Sequence, residues 1–273
     1  MRKIGIQGIK GSYHDQVAKE YFGDAVEINE FLSFDELADS VVIGSSDFGI
    51  MAIENSIAGS IIPNYALIDN LNLNIVGECF VNINHQLMAL PGVDFNDIET
   101  VSSHPMALLQ CKKFFKDFPK ISLIEARDTA GEAKRISENK IKNVGAIASV
   151  EASKLYELNI IHKNIQTIEK NETRFVIVSK QRMSSSVDFD KASIKFSLSH
   201  KTGSLASVLT ILSDYNLNLT KIQSLPIIEF PWKYSFFIDT TFNDMNDFNK
   251  AIELIGHKSE SLKLLGIYKN RMK

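Results

Sequence analysis

Cysteine, proline and tryptophan are scarce in this chain, and long hydrophobic runs are missing. Two cysteines, Cys79 and Cys111, in 273 residues do not make a disulfide framework. Neither stands in a CxxC spacing, so both read as reduced, buried small hydrophobes, with no metal site implied. Nothing approaches the roughly 18 consecutive apolar residues that span a bilayer. Met1-Arg2-Lys3 leads straight into the strand-like Ile4-Gly5-Ile6, without the apolar core of a signal peptide. These absences point to a cytoplasmic protein with no membrane partner. No block of five or more Lys or Arg occurs, and with a net charge of -3 and a pI near 6.1 the composition argues against nucleic acid as the main partner.

What is present is the balance of a globular protein: 44% hydrophobic and 23% charged residues, a mean hydropathy of -0.04, and a length that suits two domains or one large one. The clearest break is the polar, Ser-rich stretch from Gln181 to Asp188, read as a connector. Before it, short apolar runs alternate with helical patterns in a βαβα order that implies a mainly parallel, covered sheet. These runs are 3–7, 48–53, 75–81, 99–102, 121–124, 144–148 and 175–178. From Pro105 to Phe118, Leu108, Cys111, Phe115 and Phe118 recur at helical spacing, with Ser103 or His104 as cap and Pro105 at the first helical position. After the break the pattern reads βαββαβ over 192–269, with one sheet face packed on two helices as in ferredoxin-like folds. Charge divides as -6 before Ala192 and +3 from there on.

Several polar clusters sit at strand ends, where open α/β sheets carry ligands. Gly8-Ile9-Lys10-Gly11-Ser12 opens a helix and reads either as an anion cradle or as a tight strand-to-helix turn. Glu54-Asn55-Ser56, with Gly59 beyond, reads as substrate contacts or as helix capping. Ser103 and Gln110 flank a second such end, and Asp128-Thr129-Ala130-Gly131 forms a third. In Asn171-Glu172-Thr173-Arg174-Phe175 the strand period puts Thr173 and Phe175 on one face and Arg174 on the other. Arg174 is therefore either a bidentate carboxylate ligand, if the strand bends, or a partner for a structural acid.

Taken in order, these motifs resemble the prephenate dehydratase family over nearly the whole chain. They are Gly8 to Tyr13, Ile53 to Ser56 with Gly59, Ser103-His104-Pro105 with Gln110-Cys111, Asp128 to Gly131, Gly145 to Ser149, and Thr173-Arg174-Phe175. Met106 replaces the family's usual Gln. The C-terminal part resembles the ACT module, with its signatures at Gly203-Ser204-Leu205-Ala206 and Gln223-Ser224-Leu225-Pro226. There Gln223 and Leu225 replace the usual Glu and Arg.

The resemblance implies a two-lobed, periplasmic-binding-protein-like catalytic domain over 1–181 with a second lobe at about 79–161. A linker at 182–191 and an ACT regulatory domain at 192–273 follow. With no chorismate mutase segment before Met1, the monofunctional form is expected. The implied reaction is the decarboxylating dehydration of prephenate to phenylpyruvate, without metal or organic cofactor. Thr173 is the implied leaving-group donor, with Glu54, Asn55, Ser103 and Gln110 as a polar wall. Gly11, Ser12, Ser56, Thr129, Arg174 and Phe175 are the implied substrate contacts. L-Phenylalanine is the implied allosteric effector at residues 203–206 and 223–226, in a homodimer or homotetramer. A solute-binding protein or a non-catalytic amino-acid sensor are the competing readings, separated from the first by turnover of prephenate.

Overall fold

The computed structural model describes residues 1–182, 188–227 and 230–272. A first lobe is built on strands β1 (Arg2–Gln7), β2 (Val26–Phe31), β3 (Phe48–Asn55), β4 (Gly59–Ser60), β5 (Asn74–Asn82) and β11 (Glu172–Ser179), ordered β2-β1-β3-β11-β5 with β4 paired to β3. β3 reads as an unbroken apolar run because both its faces are covered. Helix α1 (Tyr13–Phe22) packs on Ile50 and Ala52, while α2 (Phe34–Ile43) and α3 (Ile62–Asn70) pack on Met51 and Ile53. Ser12 and Ser33 cap α1 and α2 by accepting the Asp15 and Glu36 amides, which satisfies orphan donors at each helix start.

The expected mainly parallel sheet is corrected to a mixed one, since β11 runs antiparallel to both β3 and β5. The chain leaves the first lobe along β5 and returns along β11, and two adjacent strands carrying it in opposite senses must be antiparallel. Between them lies the second lobe. Its strands β6 (Gln86–Ala89), β7 (Thr100–Ser103), β8 (Ser122–Glu125), β9 (Val144–Ala148) and β10 (Asn159–His162) are ordered β10-β6-β9-β7-β8. β5 pairs within the first lobe up to Asn82, so the second lobe begins nearer Gln86 than Cys79. Its helices are α4 (Pro105–Phe115), α5 (Thr129–Asn139) and α6 (Val150–Leu155). α4 buries Leu108, Cys111 and Phe115 as the spacing predicts but stops before Phe118. His104, not Ser103, is its cap, accepting the Met106 amide on Nδ1.

The C-terminal segment is β12 (Lys191–Ser197), α7 (Ser204–Asp214), β13 (Asn218–Pro226), β14 (Tyr234–Thr241), α8 (Met245–Lys258) and β15 (Ser261–Tyr268), the expected βαββαβ order. Its sheet is ordered β13-β14-β12-β15 and antiparallel throughout. Strand alternation sends Ile194, Phe196 and Ile238 toward the two helices. The opposite face carries Leu225, Phe237, Leu265 and Tyr268 into one core with Ile53, Tyr65 and Val176 of the first lobe. The C-terminal sheet therefore lies directly on the first lobe. Part of the expected linker, residues 183–187, lies outside the described residues. No helix among the described residues is long and apolar enough to cross a membrane.

Candidate active site

The cleft between the two lobes holds a cavity of about 430 Å³, within the range of small-molecule sites. The first turns of three helices border it: Ser12 to His14 of α1, Met106 and Ala107 of α4 behind their cap His104, and Thr129 of α5 behind Asp128. Helix N-termini carry partial positive charge, so the cavity favours an anion without a single lysine in its wall. Phe34, Ala52, Ile61, Ile83, Met106 and Phe175 supply an apolar lining, and Arg127 is the one cation among the lining residues. The Arg127 guanidinium crosses the cleft to donate to the Leu32 carbonyl, 3.3 Å away.

A chain of side-chain hydrogen bonds runs along one wall. Asn55 Oδ1 accepts the Ile57 and Ala58 amides at 2.9 and 2.8 Å, which fixes which end of its amide is which. Its Nδ2 must then donate, to Thr173 Oγ1 at 2.9 Å and to Asn171 Oδ1 at 2.7 Å. Asn171 Nδ2 donates to Gln110 Oε1 at 2.9 Å, and His85 Nε2 lies 2.8 Å from that same oxygen. An amide oxygen only accepts, so His85 carries its proton on Nε2. Two consequences reach the cavity. Thr173 Oγ1 already accepts from Asn55, so its O–H proton is free to donate inward, and Gln110 Nε2 is free likewise.

Buried His85 and half-buried His14 are held neutral. Burial pushes His14 down to about 4, with its ring edge-on to Phe175 at 5.0 Å. Burial lowers His85 as well, partly offset by its bond to Gln110 and reinforced by nearby His104. Burial also pushes the Cys79 and Cys111 thiols up to about 11 and 12, which keeps them protonated and inert.

Of the residues expected at the site, Thr173, Asn55, Gln110, Ser12, Thr129 and Phe175 border the cavity. Others are corrected. Arg174 points the opposite way, buried among Glu78, Asp239 and Tyr268, as strand alternation requires: the register shift against β3, where Ile53 is the extra residue, comes after Arg174 and does not turn it inward. Glu54, its partner in the neighbouring strand, likewise faces outward and pairs with Lys221. Ser103 is fully buried, with its hydroxyl spent on the Ile147 carbonyl at 2.7 Å. Ser56 supports the start of β11 by accepting the Glu172 amide. The amides of the 8–12 turn are consumed inside the protein, that of Gly11 by Asp15 and that of Lys10 by Glu30. A Cβ on Gly11 would come within 3.1 Å of the Ala152 backbone, so this glycine serves close packing of the lobes.

In the C-terminal segment, Ser204 and Leu205 border a cavity of about 140 Å³ together with Tyr234 and Phe236. Gly203 starts α7 at φ +81°, a left-handed conformation that favours glycine. Gly203 and Ala206 lie outside that lining, as do all four residues of the second signature. Leu225 is turned away into the core shared with the first lobe, which corrects its expected place in an effector site. Gln223 bonds the Ser224 carbonyl, and Pro226 pairs with Tyr234.

Sequence reasoning missed His14, His85, Asn171 and Arg127. Only Asn171 left a usable signal, standing two residues before Thr173 and hence on the same strand face.

This architecture defines a class: a two-lobed α/β protein whose inter-lobe cleft suits a small, anionic molecule. The family model described as "Prephenate dehydratase" matches residues 4–183. A bifunctional chorismate mutase/prephenate dehydratase of Buchnera aphidicola subsp. Schizaphis graminum is 34% identical over 96% of this chain and 69% of its own. Among solved structures, prephenate dehydratase from Arthrobacter aurescens in complex with L-Phe superposes with a TM-score of 0.88 at 23% identity, covering 98% of this chain and 90% of that one. A second, GqqA, described as a novel type of quorum-quenching acylase, gives a TM-score of 0.88 at 26% identity over 98% of both chains. The chain belongs to the prephenate dehydratase family.

Proposed function

We propose that the cleft converts prephenate to phenylpyruvate, CO2 and water. Breaking the bond to the ring carboxylate releases CO2 and sends its electron pair into the ring. The ring becomes aromatic as the hydroxyl leaves from the opposite carbon, taking a proton from Thr173 that the solvent then restores. The observation that carries this reading is the Asn55 amide on Thr173 Oγ1, which aims the hydroxyl proton into the cavity and stabilises charge left on the oxygen. The apolar lining suits a carboxylate that must shed water before it departs. Arg127 and the three helix starts suit the substrate's two carboxylates, with the amide of Gln110 as a further donor.

An acylase reading fits less well. Among the described residues no hydroxyl or thiol of the cavity is hydrogen-bonded to a histidine, the arrangement that activates a nucleophile for acyl transfer. The test is to mix purified protein with prephenate and follow phenylpyruvate absorbance. Absence of turnover returns the chain to the binding-protein or sensor readings.

The regulatory half of the proposal is that residues 1–181 form the catalytic domain and 192–273 an ACT module. In this reading L-phenylalanine is the allosteric effector, in a homodimer or homotetramer. The βαββαβ order and the small cavity beside Gly203 support it, as does the L-Phe named with the Arthrobacter structure. Because Ser204 and Leu205 border only about 140 Å³, a second subunit completes the effector pocket. Calorimetry with phenylalanine on the full chain, beside a sedimentation measurement, tests both parts. No heat of binding removes the effector.

A further inference from the structure

Strand alternation gives the two reactive strands a front and a back. In front, Asn55 and Thr173 are direct partners across β3 and β11 and face the cavity; one step along, Glu54 and Arg174 are partners and face the other way. That back face is covered by the C-terminal sheet, and every strand of the sheet places a polar group against it. From β13, Lys221 donates to Glu54 and to Ser60 Oγ at 2.6 Å. From β14, Asp239 takes one arm of Arg174. From β15, the Tyr268 hydroxyl accepts the other at 2.9 Å. From β12, Ser193 bridges Asp239 and Tyr268, and Lys191 shares Glu78 with Arg174.

Lys221 also ties together the two sides of a hairpin, since Glu54 pairs with Ser60 across β3 and β4. The turn of that hairpin holds the Ile57 and Ala58 amides that orient Asn55. We infer that Lys221 and Asp239 of the C-terminal sheet are positioning residues of the dehydration site, setting Asn55 and Thr173 from behind through Glu54 and Arg174. This rests on the function proposed above. No atom of either residue reaches the cavity, so their effect is on the placement of the donor and not on substrate contact.

The test uses the full chain and steady-state kinetics with prephenate. Lys221→Met is expected to lower kcat roughly tenfold with KM within about twofold of wild type, since misplacing a catalytic group by an ångström costs up to about a hundredfold. Lys221→Arg, which keeps the charge and reach, is expected to recover most of kcat. Lys269→Met, which removes an exposed ion pair with Asp190 elsewhere in the same segment, is expected to leave kcat unchanged. Asp239→Asn, nearly isosteric, is expected to behave as Lys221→Met. A folded Lys221→Met with wild-type kcat overturns the inference, as does a loss of kcat that Arg does not recover. A wild type that forms no phenylpyruvate overturns the underlying function instead, so the two failures are distinct.

Discussion

In the proposed reaction Thr173 is an alcohol asked to protonate a leaving group, and the residues around it supply what the hydroxyl lacks. Its oxygen accepts from Asn55, and Asn55 is itself fixed by two backbone amides. Thr173→Ala is expected to leave the fold intact and cut kcat by roughly a hundred- to a thousandfold, the usual cost of one preorganised donor. Thr173→Ser keeps the hydroxyl and is expected to stay within about tenfold of wild type. Steady-state kinetics beside circular dichroism checks both.

His14 bears on stability. Its value is about 4 in the folded chain against an ordinary 6.5, so between those pH values the unfolded chain binds the extra proton. Stability is complete above pH 6.5 and falls as pH drops toward 4, by roughly 3 kcal/mol for this one group. Between pH 7 and pH 4 the melting temperature of wild type is expected to fall further than that of His14→Gln, which has no imidazole to take up a proton on unfolding. Asn55 was legible as a residue because donors at strand ends are a local pattern, while Thr173 and Gln110, the latter inside α4, entered through the family resemblance. His14 and His85 were not legible, since a lone histidine shows its burial only once distant segments close over it.

At the scale of elements, the sequence patterns placed β1, β3, β5 and β11 of the first lobe and the start of α1, but not β2, α2 or α3. Caps such as Ser12 and the Pro105 start are local features, and an unbroken apolar run like β3 announces burial on both faces. The direction of β11 was not legible. Nothing in Phe175 to Val178 distinguishes a strand continuing a parallel sheet from one returning between lobes. The outward turn of Arg174 was legible from the strand period, and the resemblance had overridden it.

Arg127 shows the same limit in a loop: beside a capping Asp128 it looks like surface charge, yet it reaches across the cleft to Leu32. Arg127→Ala is expected to raise KM for the dianionic substrate by about tenfold or more, with kcat less affected, because a charge that binds ground and transition state alike changes KM. Equal KM values in the two proteins would leave substrate binding to the helix starts alone.

At the scale of the molecule, the Ser-rich break after Gln181 suggests separable domains, and the packing says otherwise. Leu225, Phe237, Leu265 and Tyr268 belong to the same core as Ile53, Tyr65 and Val176. Arg174 and Glu78, both buried, find Asp239 and Lys191 only in the C-terminal sheet. Burial by itself would raise Asp239, but Arg174 overcomes that and holds its carboxyl below the ordinary range, so the pair stays ionised at working pH. Removing one side of a buried pair typically costs about 3–5 kcal/mol, although truncation also admits water, which lowers that cost. A chain ending at Arg182 is therefore expected to melt well below the full protein, expose an apolar face that binds hydrophobic dyes, and turn over prephenate at less than about a tenth of the full chain's kcat. Differential scanning calorimetry, dye fluorescence and kinetics on the truncated chain check the three together. Full activity with an unchanged melting temperature would make the C-terminal sheet a passive cover, and any effect of phenylalanine would then have to reach the cleft by a route other than Glu54 and Arg174.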